Sequence, residues 1–355
     1  MRRNLKFSVL SLLLFSYCTQ EKPDIRVACE TVPLGNYIIK WETFPPMEGT
    51  VKIYESSVPD SFNLSSPIAE LEINKGVKDV FFVQTAKRSY FKLVFNKKYS
   101  AITAERTIPT QNIFNLRDLG GYYTVNGRQT RWGKLYRSSS LARATFQDKK
   151  TLNNLGIQTI IDFRTDRERY KYPSKYVARQ TFYFPLRGNP YNVYFDRILS
   201  KEMKAGDVKI YAQDMFSFLL ENNSDYFIKM FDILSDADNY PVLIHCFSGS
   251  DRSAVAAALI LAALDIDMDQ IINDYMLANT QQIDINSLIP PNTNIFLQDP
   301  DVQETFTALC RVHKETITYS FDKIIKEYGT LDNYFNTELK LTPKKREKLK
   351  EIMLY

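Results

Sequence analysis

The chain has 355 residues, of which 44% are hydrophobic and 13% aromatic, enough apolar surface for sizeable cores in two domains. This composition excludes a disordered chain and a chain embedded in a membrane along most of its length. The formal net charge is +5, and without three cations of a removable leader (Arg2, Arg3 and Lys6) it falls to +2. That is too little to indicate nucleic-acid binding.

The first segment has the pattern of an export signal. Basic residues precede an apolar run from Phe7 to Phe15, which is too short to span a bilayer as a normal helix. The stretch Leu14-Phe15-Ser16-Tyr17-Cys18 resembles a bacterial lipobox, although Tyr17 is bulkier than the residue usual there. The resemblance implies a signal at residues 1–18, an exported cell-envelope lipoprotein, and membrane attachment only through lipid on Cys18. An uncleaved anchor and plain secretion are the alternatives.

A polar tether at residues 19–24 precedes a segment, 25–108, whose apolar or alternating runs predict strands only. Short strands separated by Pro, Ser, Asn and Gly are typical of an all-β sandwich of about a hundred residues. Trp41 and Tyr90 resemble the core Trp and the later Tyr of fibronectin type III domains. We expect this domain to be a spacer or packing partner, with a ligand-binding module as the alternative. The clearest predicted strands are 37–41, 50–54, 79–83 and 90–95.

After Pro109 the pattern changes, and residues 109–355 are predicted to form an α/β domain with a central, mostly parallel sheet of four or five strands flanked by helices. Residues 146–155 predict a helix that stops at Gly156, and 159–164 predict a buried strand. The run 241–244 is typical of a buried strand and the Ala-rich run 254–264 of a buried helix. Ligands of open α/β sheets bind beyond the carboxyl ends of strands.

Ten residues, His245 to Ala254, join this last strand to this last helix. Cys246 therefore lies in a loop that opens a helix, where unpaired N–H groups and the helix dipole stabilise a thiolate, the nucleophilic form. Gly249 lets the loop curl so that its N–H groups converge on an anion. Arg252 offers a planar fork for two phosphate oxygens. Together these features predict transfer of a phosphoryl group to sulfur.

The spacing Cys-x5-Arg, with His before the cysteine and Ser after the arginine, resembles the signature loop of cysteine-dependent protein tyrosine phosphatases. The resemblance implies that Cys246 forms a phosphocysteine, that Arg252 binds the phosphoryl group, and that Ser253 assists breakdown of the intermediate. His245 and Arg164 are expected to support the loop. An inert buried cysteine is the alternative. The phosphate-binding residues are expected to be Phe247, Ser248, Gly249, Ser250, Asp251 and Arg252.

The identity of the general acid is open at this point. This group must protonate the leaving oxygen and later activate water. Asp162 at its strand end and Asp251 inside the loop are the main candidates, followed by Asp166. The alternative for Asp162 is a structural ion pair with Arg164 or Arg137.

Three stretches, 115–138, 162–168 and the loop, resemble bacterial tyrosine phosphatases whose loop is His-Cys-x-x-Gly-Lys-Asp-Arg-Thr-Gly, a family with members active on phosphotyrosine and on phosphoinositides. In this chain Ser250 replaces the Lys, Ser253 the Thr and Ala254 the Gly. The lost Lys removes a positive charge that the family associates with phosphoinositide head groups. We therefore expect a phosphorylated protein or peptide as substrate, with phosphotyrosine or mixed tyrosine/serine specificity, and a phosphoinositide as the alternative.

Two further segments are expected to border the site. Arg117 and Asp118 are predicted to be structural and to pin the Gly120-Gly121 turn nearby. The segment 189–223 resembles the helical lid of the family, and an amphipathic helical pair packed on the sheet is a compatible alternative. Its aromatic and methionine residues are Tyr191, Tyr194, Phe195, Met203, Tyr211, Met215, Phe216 and Phe218.

Metals and other cofactors are not expected, because the chain has two histidines, His245 and His313, and no pattern of metal ligands. Cys29 and Cys310 are expected to be buried free thiols, with a disulfide between them as the alternative. The rival function from another class is a catalytically weak phosphate-binding protein, tethered at the surface through Cys18.

Overall fold

The structure is a computed structural model that describes residues 23–32, 35–81, 88–188, 196–280 and 299–355. The predicted signal at 1–18, its lipid site Cys18 and residues 19–22 of the tether lie outside the described residues. Within the described ranges, no helix is both long enough and apolar enough to cross a bilayer.

The N-terminal part is an all-β sandwich, as predicted. Its two antiparallel sheets have the strand orders β1-β2-β5 and β4-β3-β6-β7. Alternating side chains of both sheets, among them Trp41 and Phe91, fill one shared core, and the Trp41 indole donates to the Ile73 carbonyl at 2.7 Å. The strands are β1 (Asp24–Thr31), β2 (Tyr37–Phe44), β3 (Thr50–Ser56), β4 (Ala69–Glu72), β5 (Val77–Val80), β6 (Tyr90–Phe95) and β7 (Tyr99–Ala104).

One predicted strand is displaced. The sequence predicts a strand at 79–83, whereas β5 begins at Val77, because Val77 and Lys78 pair with the neighbouring strand β2. The strand ends at Val80, and Phe81 is exposed. Residues 82 and 83 lie outside the described part of the chain.

The C-terminal part is built on a five-stranded sheet of order β11-β10-β12-β9-β8. The pairs β11–β10, β10–β12 and β12–β9 are parallel, and β8 pairs antiparallel with β9. This confirms the predicted central, mostly parallel sheet of an α/β domain. Its strands are β8 (Arg117–Asp118), β9 (Leu135–Ser138), β10 (Thr159–Asp162), β11 (Gln180–Tyr183) and β12 (Val242–His245).

Helices cover this sheet, and the one that follows β12 is its central packing element. Every residue of that helix, α5, is buried, as its Ala-rich sequence predicts. The helices are α1 (Phe146–Asn154), α2 (Asp166–Lys171), α3 (Val208–Glu221), α4 (Ser224–Leu234), α5 (Arg252–Ala263), α6 (Met268–Met276), α7 (Pro300–Leu309), α8 (Lys314–Tyr328), α9 (Leu331–Thr337) and α10 (Pro343–Met353).

The aromatic segment 189–223 is partly described. Tyr191, Tyr194 and Phe195 lie outside the described residues. Farther along, α3 packs Phe216 against the main core, whereas Met203 joins a small cluster with residues of α7. The described part therefore has the packing expected of an amphipathic helix on the sheet.

The sandwich is joined to the α/β part by polar and aromatic contacts. Arg88 of the sandwich forms an ion pair with Asp118, whose carboxylate is fully buried. The Trp132 indole donates to the Ile102 carbonyl of β7 at 2.9 Å, and Trp132 packs with Tyr90 and Ile102. The sandwich therefore contacts and stabilises the segment that precedes β9.

Candidate active site

The sheet register brings the polar ends of three strands to one edge. Asp162 at the end of β10 is paired with His245 at the end of β12. On the other side of β12, His245 is paired with Ser138 at the end of β9. Cys246 is the next residue along the chain. Because these parallel strands end together, the loop from Cys246 to Asp251 lies at their carboxyl edge, where the sequence predicted the site.

Cys246 is fully buried and its sulfur has two close polar neighbours. The Gly249 N–H donates to Sγ at 3.2 Å, and the Ser253 hydroxyl lies 3.4 Å from Sγ. Ser253 belongs to the first turn of α5, so the sulfur also lies near the N-terminal end of a 12-residue helix. An N–H donor, a hydroxyl and a helix N-terminus all stabilise negative charge on sulfur.

Gly249 is required at its position for two reasons. Its φ is +82°, in the left-handed region that favours glycine. In addition, a Cβ there would lie 2.8 Å from the Ser139 nitrogen and 2.9 Å from the Ser138 carbonyl carbon. The loop therefore packs directly on the backbone at the end of β9, and no side chain fits between them.

Arg252 is held by a carboxylate that the sequence analysis did not single out. Its Nη1 and Nη2 donate to the two oxygens of Glu168 at 2.7 and 2.8 Å, and Nη1 also donates to the Phe163 carbonyl. These bonds use three of the five N–H groups of the guanidinium, which leaves Nε–H and one Nη2–H for a ligand. Burial works to raise the pKa of Glu168, but the hydrogen bonds and charge of Arg252 outweigh it. The pKa of Glu168 therefore lies below its usual value, and the partner of Arg252 is a carboxylate.

Glu168 also helps to cap the N-terminus of the helix that carries it. Its carboxylate accepts from the Thr165 N–H, and the Thr165 hydroxyl accepts from the Glu168 N–H, which is a capping box. The spacing Thr-x-x-Glu after a buried strand is therefore the signal in the sequence that could have located this residue.

Asp251 lies inside the loop and is half-buried. Its carboxylate accepts from the Ser248 hydroxyl at 3.0 Å. Burial raises the pKa of Asp251 to about 6, although Arg252 and Arg137 act in the opposite direction. A carboxyl group with this pKa exchanges a proton near neutral pH, which is the property required of a general acid.

Asp162 has the surroundings of a structural carboxylate. It is 1% exposed, and both of its oxygens accept from the Arg164 guanidinium, the shortest bond being 2.7 Å. Burial works to raise the pKa of Asp162, but His245 and Arg164 outweigh it, and the pKa lies below its usual value. This is the ion-pair alternative considered for Asp162, with Arg164 as the partner rather than Arg137.

His245 and Arg164 both contact the backbone and side chains around the site. Burial lowers the pKa of His245, and the imidazole lies 3.6 Å from Asp162 and 3.3 Å from the Cys246 carbonyl. Arg164 also donates to the Ser140 hydroxyl at 3.0 Å and to the Tyr172 carbonyl at 2.7 Å. The two side chains therefore connect the end of β10 to the loop and to the end of α2.

Aromatic side chains form a rim beside the loop, and Ser250 occupies the position of the missing Lys inside the loop. The rings of Phe247 and Tyr172 lie 5.6 Å apart, centroid to centroid, and line a depression beside the loop with Phe114 and Arg143. Ser250 is buried, and its hydroxyl donates to the Ser248 hydroxyl at 2.9 Å.

Two other expectations concern residues behind the loop and the cysteines. Asp118 accepts from the Gly120 N–H at 2.8 Å, so it holds the turn as expected, whereas Arg117 pairs with Asp274 of α6.

Cys29 lies buried in the sandwich, and Cys310 is half-buried at the end of α7; both are free thiols. Among the described residues, no group of three His, Cys, Asp or Glu side chains is arranged to hold a metal ion.

Comparison with known proteins places this geometry in context. Residues 108–355 match the profile of the Tyrosine phosphatase family. A Cupriavidus necator protein whose name assigns it provisionally to the tyrosine-protein phosphatases is 27% identical over 247 residues, 68% of this chain and 87% of that protein. The triple specificity protein phosphatase PtpB of Mycobacterium tuberculosis is 26% identical over 264 residues, 65% of this chain and 92% of PtpB.

A solved structure extends the comparison only weakly. The core catalytic domain of the PP-IP phosphatase SIW14 from S. cerevisiae, in complex with citrate, aligns with 63% of this chain and 96% of that domain. The identity is 16% and the TM-score is 0.27.

Proposed function

The chain belongs to the tyrosine phosphatase family, and from this premise we propose that it hydrolyses phosphomonoesters through a phosphocysteine formed on Cys246. The observation that carries the proposal is the Cys246 sulfur at the base of a loop whose Gly249 N–H points at it. Arg252 stands on the same loop with two N–H groups free for a phosphoryl group. The thiolate attacks phosphorus, the bond to the leaving oxygen breaks, and Arg252 and the loop N–H groups stabilise the transferring group.

Asp251 is the proposed general acid. With a pKa raised to about 6, it donates its proton to the leaving oxygen and then takes one from the water that attacks the phosphocysteine. The P–S bond breaks in that second step, and the Ser253 hydroxyl, 3.4 Å from Sγ, stabilises the thiolate that departs. Asp162 is less suited to this task, because Arg164 occupies both of its oxygens. Asp166 is exposed and pairs with Arg169.

We propose a phosphotyrosyl protein or peptide as the substrate class, with phosphoserine as a second specificity. The aromatic rim formed by Phe247 and Tyr172 offers apolar faces to an aryl phosphate. Ser250 adds no positive charge to that of Arg143 beside the loop, whereas a polyphosphorylated head group favours several cations. A phosphoinositide is the alternative within the same chemistry. Export and lipid attachment at Cys18 remain part of the proposal, and they place the enzyme in the cell envelope.

The experiment follows hydrolysis of an aryl phosphate by the purified protein in the presence of a chelator. Cys246→Ser is expected to abolish turnover. Asp251→Asn is expected to reduce kcat about 10²-fold for a poor leaving group, the effect of losing a general acid, whereas Asp162→Asn reduces it less than tenfold. The reverse order would move the acid to Asp162. Binding of tungstate without any turnover would identify a phosphate-binding protein instead.

Substrate class is tested by comparing a phosphotyrosyl peptide with a phosphoinositide. Ser250→Lys is expected to raise lipid turnover relative to peptide turnover, with Ser248 and the rest of the loop unchanged. Lipid turnover that exceeds peptide turnover in the unmodified protein would favour the phosphoinositide alternative.

A further inference from the structure

A buried polar cluster lies against the catalytic loop, and the chemistry described so far does not use it. The cluster consists of Asn115, Arg117, Arg137 and Asp274, each 5% exposed or less. Three of them are charged, with two arginines for one aspartate. A buried group of this kind is costly unless its geometry has a function or each charge is compensated.

Asp274 is the anchor of this cluster. Its carboxylate accepts from Arg117 Nε at 3.0 Å, from Arg137 Nη1 at 2.7 Å and from the Tyr122 hydroxyl at 2.8 Å. Burial works to raise the pKa of Asp274, but the two arginines hold it far below its usual range. Burial and the nearby Arg117 lower the pKa of Arg137 to about 10, while Asp274 acts in the opposite direction. The Asp274 carboxylate therefore compensates the positive charge of two adjacent buried guanidiniums.

The other side of the cluster binds one atom of the catalytic loop. The Gly249 carbonyl accepts from Arg137 Nη2 at 2.7 Å and from Asn115 Nδ2 at 2.9 Å. Arg117 in turn donates to the Asn115 side-chain oxygen, which fixes the orientation of that amide. Two donors therefore hold the Gly249 carbonyl: Asn115, which Arg117 orients, and Arg137, which Asp274 orients.

Holding this carbonyl orients the catalytic loop. In a trans peptide the C=O and the following N–H point in opposite directions, so the position of the Gly249 oxygen determines where the Ser250 N–H points. That N–H now donates to the Ser248 hydroxyl within the loop. The same glycine supplies the N–H that contacts the Cys246 sulfur at 3.2 Å. A rotation of the Ser248–Gly249 peptide would turn away the N–H that contacts the sulfur, and a rotation of the Gly249–Ser250 peptide would break the bond to the Ser248 hydroxyl that keeps the loop curled.

We infer that Asn115 and Arg137 are positioning residues for the reaction, which hold the Gly249 carbonyl so that the loop N–H groups converge on the phosphoryl group, with Asp274 holding the arginines. This inference rests on the proposed function for the identity of the anion. It assigns a role to the stretch 115–117 and to α6, neither of which touches the sulfur.

Three variants test the inference. Asn115→Gly removes one donor and suits the positive φ of that residue. Arg137→Lys keeps the charge but cannot reach Asp274 and the carbonyl together. Asn115→Asp keeps the volume and the acceptor for Arg117 but presents an oxygen to the Gly249 carbonyl, so it removes the donor without opening a cavity.

Two controls remove comparable hydrogen bonds from a side chain to a carbonyl, and these bonds involve no residue of the loop or of the cluster. Asn223→Gly deletes an amide that donates to the Arg187 and Leu219 carbonyls. Arg346→Lys alters a guanidinium that holds the Ala263 carbonyl, at the opposite end of α5, and Asp265. Both controls are expected to lower Tm.

The readouts are Tm, the Kd for tungstate, and kcat/KM for an aryl phosphate well below Tm. We expect each Asn115 or Arg137 variant to weaken tungstate binding about tenfold and to lower kcat/KM 10- to 100-fold, a partial loss of oxyanion stabilisation. The two controls should keep the Kd and kcat/KM within about twofold of the unmodified protein. A variant that only loses stability should do the same when it is measured well below its Tm. Loop variants that behave like the controls would overturn the inference.

The outcome also separates this inference from the proposed function. If the unmodified protein binds tungstate but does not hydrolyse the aryl phosphate, the proposed function fails. The Kd for tungstate of each variant then tests by itself whether the cluster positions the loop. If it binds no tungstate at all, both fail.

Discussion

At the scale of single residues, Asp251 determines how the proposed reaction depends on pH. Its pKa, raised to about 6 by burial, means that the protonated acid is lost as the pH rises through that value. We therefore expect kcat for a poor leaving group to fall about tenfold per pH unit above pH 6. The pH–rate profile of the unmodified protein checks this, and the descending limb should vanish in Asp251→Asn. A limb that persists in the variant would assign the ionisation to another group.

The same pKa has a consequence for stability. The folded-state pKa of Asp251 lies above the usual value near 3.9, so ionisation of this group destabilises the folded protein. This destabilisation is absent below about pH 4 and reaches its full size above about pH 6. After allowing for partial exposure, Asp251→Asn should raise the free energy of unfolding by about 1–2 kcal/mol at pH 7.5. Urea unfolding at pH 7.5 and pH 4 measures it. An equal effect at both pH values would contradict the explanation.

The sequence pattern predicted the loop residues but left the acid open, for a physical reason. The Cys-x5-Arg spacing is local, so the position of Cys246, Gly249 and Arg252 on a strand–loop–helix unit follows from neighbouring residues. The ionisation of Asp162 and Asp251 depends instead on side chains that arrive from other elements, above all Arg164 and the buried surroundings of the loop. Residue type and spacing carry little information about such burial.

At the scale of elements, α2 links the Asp162 strand to Arg252, the proposed phosphate-binding arginine. Glu168 is both a capping residue of this short helix and the partner of Arg252. Glu168→Gln keeps most of the cap but removes the charge that orients the guanidinium. We expect kcat/KM to fall about tenfold, a typical effect of weakening a charge-assisted pair. Steady-state kinetics on an aryl phosphate measures the change.

A second substitution in α2 separates the cap from the arginine. Thr165→Ala removes the acceptor for the Glu168 N–H and should cost about 1 kcal/mol of stability. Because the Arg252 contacts stay, kcat/KM should remain within about twofold of the unmodified protein. Equal kinetic losses in both variants would show that Glu168 acts through the helix and not through Arg252.

Element types were more predictable than the contacts between elements. The Ala-rich run after the loop and the β-branched run before it predicted α5 and β12 from their own residues. By contrast, β5 began two residues earlier than predicted, because its pairing with β2 determines where it starts. The buried cluster joins Arg137 to Asp274 and Asn115 to Gly249, and each of these contacts spans more than a hundred positions. No local pattern in the sequence indicates such a contact.

At the scale of the whole molecule, the sandwich and the α/β part share a buried ion pair. Arg88 donates to Asp118, to Tyr90 and to the Glu105 carbonyl, and the Asp118 carboxylate is fully buried. Arg88→Met leaves that carboxylate without its cation and should cost about 3 kcal/mol. Urea unfolding measures the loss. Lys40→Met is the control, since its exposed pair with Glu30 should contribute less than about 0.5 kcal/mol. Similar losses in both variants would contradict a special role for Arg88.

The two tryptophans allow a test of whether both parts unfold together. Trp41 lies in the sandwich core and Trp132 where the sandwich meets the α/β part. Since Trp132 bonds to β7 and packs on Tyr90, we expect a single cooperative transition. The fluorescence midpoints of Trp41→Phe and Trp132→Phe should then agree with the circular-dichroism midpoint of the same variant. A sandwich that unfolds at a distinct urea concentration would instead be an independent spacer, and Arg88→Met would then leave the α/β transition unchanged.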